Sequence, residues 1–373
     1  MKIGIDAHML GHNETGNETY ILELVRHLPA LVPQHEFFLY AEFPDVIPPE
    51  TRALPNVRVV SLRSRFAAQR LCWELPRCAA HDALDVLHIS YNAPLRLPAA
   101  CALVVTIHDI SFEQHPEWFS ARLRWFLKMS VRRSARAARA VITVSEWCRA
   151  EIARAYQIAP ERVHVTHEAA GAQYRPLTDA RALKAVREKF NTGEPFILAV
   201  GNLQPRKNHV RLLQAFARAK EAGKLPHKLV LVGQAWWQAE EIANAARALG
   251  DAVVLTGYVP DADLPLLYNA ADAFCYPSLY EGFGLPVLEA MACGVPVITS
   301  NVTALPEVAG DAACLVNPYD VPMLTDAILR VTRDESYRQA LRARGVARAN
   351  LFSWARMAEE TMAVYARAAR GRV

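Results

Sequence analysis

Short apolar runs return along the whole chain, several of them followed by a stretch with helical spacing. This alternation limits the possible folds more than any other feature. The runs are Lys2–Asp6, Phe37–Ala41, Val57–Val60, Val86–His88, Leu103–Ile107, Val141–Val144 and Val163–Thr166, then Phe196–Val200, Leu229–Val232, Val253–Leu255 and Ala273–Tyr276. Between the first two, Ile21, Leu24, Val25, Leu28 and Leu31 recur with the helical period. Further on, Ser145 is placed to cap a helix running to Tyr156. Strands that alternate with helices imply a mostly parallel sheet covered on both faces, the α/β class.

A chain of 373 residues is long for one core, so two domains are expected. The periodicity lapses from Glu168 to Thr178 into Ala, Gly and Pro, which reads as a linker. The domains are accordingly 1–172 and 173–352, followed by a terminal helix over 353–373. A hydrophobic share of 52% and a charged share of 21% describe an ordinary globular chain. The net charge of +4 is too small to imply nucleic acid, yet it suits anionic ligands or an anionic membrane surface. Cys72, Cys78, Cys101, Cys148, Cys275, Cys293 and Cys314 are scattered without metal-type spacing, as expected of reduced thiols. The opening strand leaves no room for a secretory signal, and no apolar run approaches the length of a membrane span. A cytoplasmic or peripheral protein is expected.

Three stretches carry chemistry. Pro277 to Gly294 reads as a strand end, a glycine-bearing loop and a helix from about Leu285 to Cys293, with Pro286 in the first turn and Gly294 at the stop. Gly282 and Gly284 let the backbone approach a ligand, and the amides at the helix start favour an anion. Glu281 and Glu289 stand eight apart, in the loop and one turn into the helix, and carboxylates suit sugar hydroxyls. Such a turn also occurs in any α/β protein, and the helix dipole alone favours acidic residues there. The second stretch, Gly201-Asn202-Leu203-Gln204-Pro205-Arg206-Lys207-Asn208, joins a strand to a helix from about His209 to Lys220. Two cations beside a helix start suit a diphosphate, although an exposed loop with two surface basics would read the same way. The third, His108-Asp109, closes the run Val104–Ile107, and ligands collect at such strand ends. Gly11 and Gly16 do not form a dinucleotide-binding fingerprint. Asp261-Ala262-Asp263 resembles a metal motif but precedes a helix, so capping is expected and no metal site is assigned.

Taken whole, Glu-Gly-Phe-Gly-Leu-Pro-x-x-Glu-Ala-Met-Ala-x-Gly-x-Pro-Val resembles the donor-site signature of the retaining family 4 glycosyltransferases of the GT-B group. The run 201–208 is similar to the same family's Gly-x-x-x-x-Arg-Lys-Asn motif. Thr106–Asp109 and Ser111–Ser120 are similar to its bacterial mannosyltransferases of surface-polysaccharide synthesis. The resemblance implies two Rossmann-like domains facing across a cleft, the first for the acceptor and the second for a nucleotide sugar, with the last helix crossing back to the first. It also implies roles residue by residue. Arg206 and Lys207 would hold the diphosphate, Glu281 the transferred sugar, Glu289 the ribose, and His108 the sugar near its reacting centre. Gly201, Asn202, Gly282, Phe283, Gly284 and Leu285 would line the donor, Tyr258 and Val259 the base, and Gly16 and Asp109 the acceptor side. Family members carry an Asn-Gly-Val type turn where this chain has His167-Glu168-Ala169-Ala170-Gly171, so no binding role is carried to that turn.

The implied activity is retaining transfer of a hexose, without a metal or other cofactor, from a nucleotide diphosphate sugar to a glycan or lipid-linked glycan. GDP-mannose is the first candidate donor and UDP-glucose the second. A non-catalytic two-lobed binding protein, or an epimerase or phosphorylase of related fold, shares the architecture. Residues 121–140 hold Arg122, Arg124, Lys128, Arg132, Arg133, Arg136 and Arg139 with no acidic residue, interleaved with Leu123, Trp125, Phe126, Leu127, Met129 and Val131. The stretch reads either as a basic amphipathic helix on anionic lipid or as a solvated helix packed by its apolar side.

Overall fold

A computed structural model describes residues 1–12, 15–64, 66–223, 225–236 and 239–370. Positions 13 and 14, in the loop expected over His8–Gly16, lie outside the described residues. The chain divides into one unit of Met1–Glu168 together with the segment from Ser353 onward, and a second of Ala169–Phe352.

In the first unit, seven largely apolar runs form β1 (Lys2–Asp6), β2 (Glu36–Ala41), β3 (Val57–Ser61), β4 (Val86–Ser90), β5 (Ala102–Thr106), β6 (Ala140–Thr143) and β7 (Val163–Val165). They pair in parallel in the order β3-β2-β1-β4-β5-β6-β7. β4, β5 and β6 are buried along their whole length, as strands covered on both faces must be. Ser145 caps the helix Glu146–Tyr156 by accepting from the Cys148 amide. The terminal helix Trp354–Arg370 buries Trp354, Met357, Ala358, Thr361, Val364, Tyr365 and Ala368, a stripe at helical spacing. It packs on the helix Thr15–Leu31, and the Tyr365 hydroxyl lies 2.5 Å from His88 Nδ1 on β4. The end of the chain therefore belongs to the first unit's core.

The second unit contains β8 (Phe196–Val200), β9 (Lys228–Val232), β10 (Val253–Gly257), β11 (Ala273–Tyr276), β12 (Val297–Ser300) and β13 (Ala313–Val316), again parallel, in the order β10-β9-β8-β11-β12-β13. The last two strands were not expected. β12 follows directly on the Gly294–Pro296 stop, and β13 is an edge strand, half-buried over most of its length, so neither stands out as an isolated apolar run. In each sheet the order reverses beside the unit's first strand, between β1 and β4 and between β8 and β11. A crevice for ligands opens at the carboxyl ends of strands at such a reversal.

Two expectations change. Asp263 occupies the N-cap position of the helix Leu264–Ala270, but its side chain does not cap; Oδ2 pairs with Lys189 Nζ at 2.7 Å. The helix Ala121–Ala137 is amphipathic the other way round from a helix packed by its large apolar side chains. Its small residues Ser134 and Ala135 are buried with Val131, while Leu123, Trp125, Phe126 and Met129 are exposed. All seven cysteines are free thiols, and Cys101, Cys148, Cys275 and Cys293 are buried.

Candidate active site

β8 is followed by Gly201, whose φ of +145° suits glycine, and the methylene stem of Lys207 lies across its α-carbon: a β-carbon there would come within 3.2 Å of Lys207 Cε. Pro205–Lys207 form one tight turn, Asn208 takes the left-handed conformation, and the helix His209–Gly223 begins. The Asn208 side-chain Nδ2 donates to the carbonyls of Pro277 (3.0 Å) and Pro318 (2.7 Å), and the Leu279 backbone amide donates to Arg206 O (2.9 Å). These bonds tie the loop after β8 to the loop after β11, across the reversal in strand order, and to the loop after β13.

Glu281 sits at their meeting point. Lys207 Nζ donates to its Oε1 at 2.8 Å and to the Tyr276 hydroxyl, which itself donates to the same oxygen at 2.9 Å. Arg206 Nη1 reaches Oε2 at 3.3 Å. The Glu281 amide donates to Thr303 Oγ1 at 3.2 Å. Burial alone would raise the Glu281 pKa, but the Arg206 guanidinium and the Lys207 ammonium outweigh it and hold the carboxyl down at about 2. Burial, then the neighbouring carboxylate, push the Tyr276 phenol well up, so it stays a donor. A buried carboxylate and two cations thus form one cluster, whose cations suit an arriving anion.

The helix Leu285–Ala292 starts beside this cluster, with Gly284 as its N-cap at φ +113°. In its first turn Pro286 has no N–H and the Val287 amide donates to Gly284 O at 2.9 Å, so Leu285 is the residue of that turn whose amide could face a ligand. Phe283 turns its ring inward onto Phe352, with centroids 5.8 Å apart, so a ligand would meet the backbone of this turn. Glu289 is not part of the cluster: its Oε2 accepts from the Tyr268 hydroxyl at 2.9 Å, and Tyr174 packs edge-on against Tyr268. Asn202 Oδ1 accepts from the Gln234 amide at 3.3 Å, Tyr258 is exposed and Val259 is buried, so Val259 can offer only its backbone.

Behind the cluster, His209 is buried, and burial, reinforced by Lys207, lowers its pKa to about 3. The folded state then keeps it neutral while the unfolded chain protonates near pH 6.5. The unfolded state binds more protons below that pH, so stability is lost as pH falls from about 6.5 towards 3. At roughly 1.4 kcal/mol per pH unit, the loss reaches about 2 kcal/mol by pH 5. Calorimetry between pH 7 and 5 is expected to show a shallower fall for His209→Gln than for wild type; parallel curves would contradict the assignment.

In the first unit, His108 follows β5 and is 7% exposed. Its ring meets the Tyr20 edge (4.7 Å between centroids) and lies 6.0 Å from Tyr91. Nδ1 is 3.3 Å from Glu168 Oε1, and Glu168 is itself buried. Asp109 accepts from the Ser111 amide at 2.9 Å, and Gly16 lies in the first turn of Thr15–Leu31. The sequence reading missed Glu168, Tyr276, Asn208 and Thr303. For Glu168 the only signal was the departure from the usual turn; the others lie within or beside motifs that gave them no individual role.

Two doubly wound parallel sheets, the second with a basic loop and an acidic loop joined at its strand reversal, are the arrangement that the resemblance to GT-B glycosyltransferases implies. The glycosyltransferase family 4 description matches residues 15–169, and that of the glycosyl transferases group 1 matches residues 181–348. The chain is 35% identical to the O-antigen chain mannosyltransferase B of Escherichia coli, covering 98% of this chain and 99% of that one. It also shares 33% identity with a serotype-specific mannosyltransferase WbdA of Escherichia coli, over 59% of this chain and 28% of WbdA. Among solved structures, WaaG, a glycosyltransferase involved in lipopolysaccharide biosynthesis, matches at a TM-score of 0.73 with 18% identity, covering 97% of this chain and 98% of WaaG. The sucrose-phosphate synthase of Thermosynechococcus elongatus matches at 0.75 with 22% identity, over 98% of both chains. The chain belongs to glycosyltransferase family 4 and is a glycosyltransferase.

Proposed function

We propose that this enzyme transfers mannose from GDP-mannose, with retention at the anomeric carbon, to a growing surface polysaccharide or its lipid-linked precursor. The convergence of Arg206, Lys207 and Glu281 at the strand reversal of the second unit carries the reading, and the full-length likeness to an O-antigen mannosyltransferase supports the choice of sugar. As the bond from sugar to diphosphate breaks, negative charge grows on the leaving phosphates. Arg206, Lys207 and the backbone amides around 283–285 stabilise that charge more in the transition state than before it. Glu281, held ionised, orients a hydroxyl of the transferred sugar, and Glu289 takes the ribose hydroxyls. His108 faces the sugar near its reacting carbon, and Gly16 and Asp109 lie on the acceptor side. Two protein cations carry the charge compensation, so turnover is expected to persist in EDTA. Mannose transfer from GDP-mannose to a mannosylated acceptor, against a panel that includes UDP-glucose, tests the reading; turnover with another donor alone would overturn the choice of sugar.

The helix Ala121–Ala137 brings the enzyme to the bilayer that carries its acceptor. Arg122, Trp125, Phe126, Met129 and Arg132 recur at spacings of three and four and are exposed on one face. Arg133 and Arg136 are committed elsewhere: Arg133 donates to the Ala93 and Pro94 carbonyls and Arg136 to Tyr156 O. Among the described residues no helix is long and apolar enough to cross a membrane. Replacing Arg122 and Arg132 by Glu is expected to weaken co-sedimentation with anionic vesicles about 30-fold or more, at ~1 kcal/mol per basic charge removed. Equal sedimentation of variant and wild type would end the membrane reading.

A further inference from the structure

We propose that Glu168 is a positioning residue that sets the tautomer and the ring orientation of His108. The proposal rests on the reading of His108 as the group facing the transferred sugar, and it adds a residue outside every motif of the family signature.

His108 is fixed from three sides. Tyr20 stands edge-on to its ring, Tyr91 flanks it, and its own backbone carbonyl accepts a hydrogen bond from Cys148 Sγ at 3.2 Å. The remaining freedom is rotation about the bond to the ring and the choice of which nitrogen carries the proton. Glu168 Oε1, 3.3 Å from Nδ1, decides both. A carboxylate only accepts, so in the neutral ring the proton is held on Nδ1 and the lone pair is left on Nε2. Nε2 is buried and has no hydrogen-bond partner. A buried polar atom without a partner costs free energy and is a place for a ligand group to complete. With the lone pair fixed there, the complementary group is a hydroxyl that donates, which is what a sugar offers.

Sequence and topology explain why this pair is possible here. Glu168 follows β7, two strands from β5 in the sheet, so both side chains rise from the carboxyl ends of parallel strands. A small residue at 168 would leave Nδ1 free to take either tautomer. Glu168 also lies close enough to Tyr20 to raise its phenol, after the larger effect of burial, while Tyr20 bonds to Thr106. The aromatic wall and the carboxylate therefore belong to one buried polar network around the ring.

The test pairs kinetics with nitrogen NMR of ring-labelled histidine, the His108 signals being identified by their loss in His108→Ala. In wild type the His108 Nε2 is expected at the lone-pair shift and Nδ1 at the protonated shift. Glu168→Ala should mix the two tautomers and lower kcat about 10- to 100-fold, the range for removing the outer partner of a functional histidine, with donor KM changed less. Glu168→Gln, whose carbonyl can still accept from Nδ1, should keep the tautomer and recover much of the rate, and it serves as the variant of record if Glu168→Ala does not fold. Unchanged ring signals in a folded Glu168→Ala, or mixed tautomers in Glu168→Gln with full rate, would overturn the proposal while leaving His108 in its role. Full turnover in His108→Ala would instead remove the reading on which the proposal stands.

Discussion

Replacing Lys207 by Ala is expected to lower kcat/KM for sugar transfer by about 100- to 1000-fold, roughly 3–4 kcal/mol, the usual worth of one well-placed electrostatic donor in a transition state. The ammonium is nearly buried, donates to Glu281 Oε1 at 2.8 Å and is oriented by the Tyr276 hydroxyl. Its charge is therefore fixed before the reaction begins and needs no solvent reorganisation when the phosphates take up charge. Stability should fall as well. Stranding a buried carboxylate commonly costs ~3–5 kcal/mol, but Arg206 remains 3.3 Å from Oε2, so the loss is expected at or below the low end. Binding of the free nucleoside diphosphate should weaken in parallel with turnover. A folded Lys207→Ala enzyme with near wild-type kcat/KM would remove Lys207 from the mechanism.

The second large effect is expected of Glu281→Gln, and it differs from the first in sign at one step. The carboxyl is held ionised at about 2, its buried position opposed by Arg206 and Lys207, so at any working pH the variant removes a full charge and almost no volume. Turnover should fall about 100-fold or more, because a charge-assisted bond to the sugar is replaced by a neutral one. Binding of the nucleoside diphosphate without the sugar should be unchanged or tighter, since both cations are released from their internal partner. Calorimetric titration of GDP into the two variants therefore separates their roles: weaker for Lys207→Ala, equal or stronger for Glu281→Gln. Weakening in both would mean that Glu281 only holds the loop in place, a structural part rather than a contact to the sugar.

Much of this was open to reading before any coordinates. The helix at Leu285 and its stop at Gly294 follow from Pro286 and from glycine's tolerance of positive φ, a local matter of backbone sterics. The strand at Phe196–Val200 and the basic pair after it are equally local. The functional pairings were not. Lys207 and Glu281 are 74 residues apart, and nothing in their spacing shows that a tyrosine at 276 would join them. Asn208, in its left-handed turn, reaches two proline carbonyls from different loops, a geometry that appears only when three chain segments are seen together. The helix Ala121–Ala137 shows the opposite failure, since its apolar residues were legible but the face that would bury was not.

What the sequence determined by itself was the succession of elements up to β11, the presence of two units and the chemical kinds present at the strand ends. Those depend on periods of two and 3.6 residues, on caps and on glycine and proline, all short-range. The tertiary structure alone decided which charges meet. It set Glu281 between Arg206 and Lys207, sent Glu289 to Tyr268, and brought Glu168 to His108. Strand order is the physical reason. A parallel sheet whose strand order reverses between β8 and β11 places the ends of distant segments side by side, and the electrostatics of a buried site follow from those adjacencies, which no spacing along the chain records.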